Sequence, residues 1–225
     1  MKPIRLVLAD DHTLVLEAFR HLLSADAEFP VEVVGTAVDG RALLKVVREQ
    51  KPDIVVTDIS MPLLNGLDAA IKLLKLIPDL KIIFLTVSDD PDFVADVIRA
   101  GAKGYLLKSS ATTELLQAIR AVAAGSTYIT PLVTGSMLGS LIKGEKRASS
   151  EKLTVRQREI LQLLAEGKTM KEASRILCIT PRTVAFHKYR IMQILGIENN
   201  TQLIRFAMNS RLIPQLSDLR LINLP

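Results

Sequence analysis

Ile54-Val55-Val56-Thr57-Asp58-Ile59-Ser60-Met61-Pro62-Leu63-Leu64-Asn65-Gly66 is the stretch that decides how this chain folds. Its first four residues are all β-branched, as expected of a strand covered on both faces. A carboxylate ends the run, and Pro62, Asn65 and Gly66 supply a turn behind it. Asp58 is badly placed there for packing, and well placed for chemistry in the crevice above a parallel sheet. Other apolar runs end the same way. Ile4 to Ala9 leads into Asp10-Asp11, Lys81 to Leu85 delivers the hydroxyl of Thr86, and Tyr105-Leu106-Leu107 delivers the ammonium of Lys108. Three carboxylates, a hydroxyl and an ammonium at neighbouring strand ends describe a phosphoryl-accepting site.

Working outward, strand and helix alternate. Strands are expected over Ile4–Ala9, Val31–Ala37, Ile54–Asp58, Lys81–Val87 and Gly104–Leu107. Helices are expected over His12–Ala25, from an Asp39 cap to Gln50, over Gly66–Ile77, and from Asp90-Pro91 to a stop at Gly101. A last helix starts at a Thr112 or Thr113 cap and ends near Gly125. Five strands and five helices in strict alternation predict a five-stranded parallel sheet of flavodoxin-like type, over residues 1–125. Residues 126–149 are rich in Ser, Thr, Gly and Lys and read as a linker, with a short helix from about Pro131 to Ile142. Residues 150–213 carry four helical patterns, Val155–Glu166, Met170–Leu177, Pro181–Leu195 and Thr201–Asn209, and no strand. Residues 214–225 form a tail without a clear reading.

Charge separates the two parts. Residues 1–125 hold 14 Lys+Arg against 17 Asp+Glu, net −3, and residues 126–225 hold 15 against 7, net +8. An acidic half joined to a basic half directs nucleic acid to the second. The single cysteine, Cys178, excludes a disulfide framework and fits a reducing compartment. A strand begins at Ile4, which leaves no room for a signal peptide, and no apolar run approaches the roughly 20 residues of a membrane span. The expectation is a cytoplasmic protein that does not enter the membrane.

Asp10, Asp11 and Asp58 close together would repel one another unless a counter-charge is present. A hard divalent cation held by oxygen ligands meets that need, and Mg²⁺ is the usual choice where phosphate is handled. Asp58 would attack phosphorus and form an acyl phosphate. Lys108 and Thr86 would contact the phosphoryl oxygens.

In the second half, Met170–Leu177, a break at Cys178-Ile179 and Thr180–Leu195 have helix-turn-helix spacing, centred on residues 170–189. Thr180-Pro181 is a strong helix start. Val184, Ile191 and Leu195 form the inward stripe of the second helix. Arg182, Lys188 and Arg190 are available for phosphates, and Ala185, Phe186 and Tyr189 for base edges and thymine methyls. Cys178 reads as a small buried filler, and no Cys/His spacing supports zinc.

These residues resemble a known family. Asp10-Asp11, Asp58 with Met61-Pro62 and Gly66, Thr86 and Gly104-Tyr105-Leu106-Leu107-Lys108 are similar to the receiver domain of two-component response regulators. Leu153-Thr154-Val155-Arg156-Gln157-Arg158-Glu159, Gly167-Lys168-Thr169-Met170, Thr183-Val184-Ala185-Phe186-His187-Lys188 and Leu195-Gly196-Ile197 resemble the LuxR-type DNA-binding domain. Together they make the chain similar to a NarL/FixJ-type response regulator over nearly its whole length. The resemblance implies that Asp58 takes phosphate from a sensor histidine kinase. It implies Mg²⁺ on Asp11 and Asp58, with Asp10 acting partly through water. It also implies that Thr86 moves toward the phosphate and Tyr105 swings inward, altering the surface of the fourth helix, fifth strand and fifth helix. Arg182, Thr183, Ala185, Phe186, His187, Lys188, Tyr189 and Arg190 are then the DNA-contacting set on double-stranded DNA, with His187 structural or on a phosphate. The silent receiver is expected to mask the recognition helix or to prevent dimerisation, and the phosphorylated form to bind as a homodimer.

The sequence departs from the pattern in places. Ser109 follows Lys108 where many receivers have proline, Ala173-Ser174 puts a hydroxyl at a packed position, and Ala185 stands where many members place lysine. An enzyme of the aspartate-nucleophile phosphatase kind would need a second carboxylate two residues after Asp58, where Ser60 stands. The alternative reading is a phosphorylation-independent DNA-binding regulator that uses the receiver only to dimerise.

Overall fold

The computed structural model describes residues 2–24, 29–135 and 153–213. A parallel sheet runs β2-β1-β3-β4-β5-β6, with β1 Ile4–Ala9, β2 Val31–Ala37, β3 Ile54–Asp58, β4 Lys81–Thr86, β5 Gly104–Leu107 and β6 Tyr128–Ile129. Helices α1 Thr13–Ser24, α2 Gly40–Gln50, α3 Gly66–Leu76, α4 Pro91–Arg99 and α5 Ala111–Ala123 cover it. Two apolar layers result. One holds Leu43, Val47, Leu73, Val94 and Val97, and the other Leu16, Phe19, Leu115 and Ile119. Every residue of β3 is buried, which is why its sequence does not alternate.

Strand order reverses at β1, which has β2 on one side and β3 on the other. The crevice at such a switch point lies outside the carboxyl ends of the strands, so Asp10 and Asp58 are delivered to one place. Two glycines close this end of the sheet. A Cβ on Gly66 would lie 1.9 Å from the Asp58 carbonyl oxygen, and one on Gly40 would lie 2.0 Å from that of Leu64. The loop after Asp58 is thereby folded tightly back over β3.

Two expectations change in this domain. The helix after β5 starts at Ala111 behind Ser110, with no side-chain cap, and Thr113 instead donates its hydroxyl to the Ser110 carbonyl at 3.0 Å. The sheet also has a sixth strand, inside the segment read as linker. Tyr128 pairs with Gly104 and Ile129 with Tyr105. Thr130 continues the hold: its N–H donates to the Tyr105 carbonyl at 3.0 Å, and its hydroxyl accepts from Leu107 N–H at 3.2 Å. Residues 131–135 are helical, and Val133 is fully buried among the α4-side core residues. The receiver unit therefore extends about ten residues past its expected end. The remainder of the helix expected to Ile142, and the tail from Pro214, lie outside the described residues.

The second unit is helical: α6 Val155–Ala165, α7 Met170–Leu177, α8 Pro181–Leu195 and α9 Asn200–Asn209. Thr154 and Thr169 each form a capping box, with Gln157 and Glu172. Thr180 accepts from Thr183 N–H and Pro181 opens α8, as the sequence predicts. Leu153, Ile160, Leu161, Leu163, Leu177, Val184, Ile191 and Leu203 make its core. Ser174 is buried without penalty, because its hydroxyl donates to the Lys171 carbonyl at 2.7 Å. Cys178 is not a buried filler. It is exposed in the left-handed conformation at φ 53°, capping α7, so the turn uses its backbone and leaves its thiol outside.

Candidate phosphoacceptor site and DNA-binding face

Asp58 ends β3 with its side chain 8% exposed. Its Oδ1 accepts from Ile59 N–H at 2.6 Å, and its Oδ2 lies 2.8 Å from Lys108 Nζ. The same ammonium is 2.7 Å from Asp10 Oδ2, so Lys108 bridges the ends of β1 and β3. Asp11 stands beside them. Burial pushes the Asp58 and Asp11 carboxyls above the ordinary range, with Lys108 opposing the shift at Asp58 and His12 opposing it at Asp11. Burial works to lower the Lys108 ammonium, but the Asp58 and Asp10 carboxylates outweigh it and the pKa is raised.

The crevice has the donors for a hard cation. Asp10, Asp11 and His12 each offer one ligand atom, all within 4.8 Å of one another. Asp11 Oδ1 is buried with only the His12 ring nitrogen beside it, so a divalent cation would supply charge this oxygen lacks. His12 was not singled out in the sequence, yet its Nδ1 lies 3.0 Å from Asp10 Oδ1 and 2.9 Å from Asp11 Oδ1. The only sequence signal for it was adjacency to the acidic pair.

Thr86 and Tyr105 lie behind this cluster. Thr86 is 5% exposed, and its hydroxyl accepts from Ser88 N–H at 3.1 Å. Tyr105 is already turned inward and fully buried, its hydroxyl donating to the Ser88 carbonyl at 2.7 Å. Burial pushes that phenol up to about 12. In this inward position Ser88 supplies an acceptor for the phenol, and the β6 segment packs beside the ring. The Lys108–Ser109 peptide is trans.

On α8 the DNA-contacting candidates divide. Arg182, Phe186, Tyr189 and Arg190 form an exposed stripe, with Phe186 at 66% and Tyr189 at 65%. Thr183, Ala185, His187 and Lys188 are half-buried. Thr183 spends part of its capacity on the cap, with its hydroxyl 2.9 Å from that of Thr180. Phe186 and His187 meet edge to face, which steadies the ring.

The largest feature missing from the sequence reading is the seam between the two units. Arg158 on α6 donates to Asp68 Oδ1 on α3 through Nε at 2.8 Å and Nη2 at 2.5 Å. Lys72 pairs with Glu159, which is 1% exposed and also pairs with Arg156 at 2.9 Å. Gln162 and Glu166 reach the loop after Asp58. Beyond α9, Arg211 lies 3.3 Å from Asp90 and 4.6 Å from the Phe93 ring centre. Arg158, Gln162 and Glu166 recur every four residues and read as an ordinary solvated stripe. Only the packed partner shows otherwise. The receiver thus holds α6 and the end of α9, while the reading stripe of α8 stays exposed.

Residues 6–120 match the family described as the response regulator receiver domain, and residues 151–207 match the bacterial regulatory proteins of the luxR family. The oxygen regulatory protein NreC of Staphylococcus carnosus is 36% identical over 217 residues, covering 93% of this chain and 99% of NreC. The transcriptional regulatory protein YxjL of Bacillus subtilis is 33% identical, covering 93% and 97%. Among solved structures, the RcsB response regulator of Salmonella typhimurium is similar at 30% identity and a TM-score of 0.62, covering 92% and 97%. An RcsB–DNA complex is similar at 27% identity and a TM-score of 0.57, covering 91% and 98%. A receiver with its acidic crevice, joined to a LuxR-type helix-turn-helix, places this chain in the NarL/FixJ-type two-component response regulators, the DNA-binding transcriptional regulators controlled by phosphotransfer.

Proposed function

We propose that Asp58 is the residue that accepts phosphate from the partner histidine kinase. The observation that carries this is the gathering of Asp58, Asp10 and Lys108 within 2.8 Å contacts at adjoining strand ends. One Asp58 carboxylate oxygen attacks phosphorus, the phosphorus–nitrogen bond of the donor phosphohistidine breaks, and the freed imidazole takes a proton from water. Asp10, Asp11 and Asp58 are the residues that would hold Mg²⁺, whose charge offsets repulsion between the donor phosphoryl group and the carboxylate. Lys108 leaves its bridge to meet a phosphoryl oxygen, and Thr86 exchanges the Ser88 amide for another. The product is a signal: the chain loses its own phosphate slowly and turns over no separate substrate. Radiolabel from a phosphorylated sensor kinase should appear on the wild-type chain and not on Asp58→Asn. Equal labelling of that variant would sink the assignment.

Of the two silent-state expectations, the exposed α8 stripe favours control of pairing over masking of the reading face. Phosphorylation would free α6 and the end of α9 so that two chains meet on half-sites about one helical turn apart. The similar RcsB is described as dimers bound to DNA, which supports the same arrangement here. Arg182, Lys188 and Arg190 would neutralise phosphates, and Ala185, Phe186 and Tyr189 would read the major groove, with Thr183 and His187 supporting the helix start and its backbone contacts. The exposure of α8 also favours, in part, the second reading, DNA binding without phosphate. Duplex affinity of the wild type before and after treatment with a phosphodonor, with Asp58→Asn as the control, separates the two: an unchanged wild-type affinity would favour the second.

A further inference from the structure

The phosphoacceptor loop does not satisfy its own backbone. Met61 N–H and Gly66 N–H both donate to the Ile59 carbonyl, at 3.1 and 2.8 Å, and Leu64 N–H donates to the Pro62 carbonyl at 2.7 Å. Three further main-chain groups find partners in the DNA-binding domain. Gln162 Nε2 donates to the Met61 carbonyl at 2.8 Å, and Gln162 Oε1 accepts from Asn65 N–H at 2.8 Å. The Glu166 carboxylate accepts from Leu63 N–H at 3.1 Å. Gln162 and Glu166 are themselves tied together at 2.7 Å. Leu63 sits at φ 64°, a region a leucine rarely adopts, and its side chain packs against the helical domain's core. The left-handed turn is therefore held from outside the receiver.

The held loop reaches the nucleophile directly. Its first residue, Ile59, donates to Asp58 Oδ1, and its last, Gly66, leaves no room between itself and the Asp58 carbonyl. With Lys108 on Oδ2, both carboxylate oxygens are engaged. Bringing a phosphoryl group onto Asp58 requires the Ile59–Ser60 backbone to re-aim its amides at new oxygens. Three hydrogen bonds from α6 and its C-cap, to a segment eight residues long, oppose that adjustment.

We propose that Gln162 and Glu166 are positioning residues for phosphoryl transfer: from the DNA-binding domain they lock the loop behind Asp58 and slow its phosphorylation. The proposal rests on Asp58 being the acceptor. Coupling is reciprocal, so whatever loop geometry phosphate favours is the geometry that loosens α6. This route runs through the β3–α3 loop, on the other side of the crevice from the α4–β5–α5 surface.

The test is the initial rate at which the full chain takes phosphate from acetyl phosphate with Mg²⁺, followed by phosphate-affinity gel. Gln162→Ala and Glu166→Ala should react about fivefold faster or more. Glu166→Gln keeps an oxygen for Leu63 N–H and should stay within about twofold of wild type, as should the exposed control Lys171→Ala. Amide hydrogen exchange at Leu63 and Asn65 should quicken in the two alanine variants only. Rates within about twofold of wild type in both alanine variants, each melting cooperatively, would overturn the positioning role alone. No phosphate on the wild-type chain would overturn it together with the assignment of Asp58.

Discussion

Two buried clusters of charge stand about one loop apart, and they are balanced differently. The crevice holds Asp10, Asp11 and Asp58 against Lys108, with His12 beside them. The seam sets Asp68 against Arg158 and Glu159 against both Lys72 and Arg156. Where charge is matched within hydrogen-bond distance, the cluster holds two surfaces together and wants nothing further. Where anions outnumber cations, the site is poised to take up positive charge: Asp10, Asp11 and Asp58 have only Lys108 and the His12 ring to share among them. Imbalance rather than burial separates chemistry from adhesion here.

The largest test of this contrast is Asp58→Asn, which should abolish phosphate uptake while leaving the seam's protection from amide exchange unchanged. Next, Lys108→Ala removes the one lysine or arginine that, among the described residues, bridges Asp10 and Asp58. Losing one partner of a buried cluster costs about 3–5 kcal/mol, so urea unfolding should shift by that much, and Mg²⁺ should recover part of it. A Mg²⁺-independent loss under about 1 kcal/mol would contradict the imbalance argument. At the seam, Arg158→Ala should weaken docking by about 2–5 kcal/mol, read as lost energy transfer between labels on the two domains. Asp68→Ala should do the same, and the double variant should cost little more than either one.

A smaller effect is pH dependence of docking. Burial raises the Glu166 carboxyl above its ordinary 4.5. A carboxyl raised in the docked state binds its proton more tightly there, so its contribution is full at low pH and fades as the pH climbs from 4.5 through the raised value. Energy transfer should fall over that window in the wild type and stay flat in Glu166→Gln. Smallest of all, Thr180→Ala removes the α8 cap and should cost the helical domain about 1 kcal/mol in thermal unfolding, without touching either cluster.

The crevice was legible because each of its residues ends a run that can only be a covered strand, so position followed from pattern. The Asp39 and Thr180 caps were legible for the same local reason: a short oxygen side chain at the start of a periodic stretch. The seam was not. Arg158, Gln162 and Glu166 have the spacing of any solvated helix face, and nothing local names the surface opposite. β6 escaped because two residues, Tyr128-Ile129, carry no period, and Cys178 escaped because left-handed caps are usually sought at glycine. What the sequence hides is long-range pairing between unlike elements.

The sixth strand also sets the length of the leash between the domains. With Val133 sunk in the receiver core, the receiver is anchored up to Gly135, and the helical unit is anchored from Leu153. Whatever its conformation, the span between them lets the two anchor points separate by at most roughly 60 Å, where a departure from Gly125 would allow roughly 95 Å. A domain released on the shorter leash stays at higher local concentration about its own receiver and re-docks more readily. Ten residues stitched onto a sheet edge thereby shorten the greatest distance the two domains can move apart.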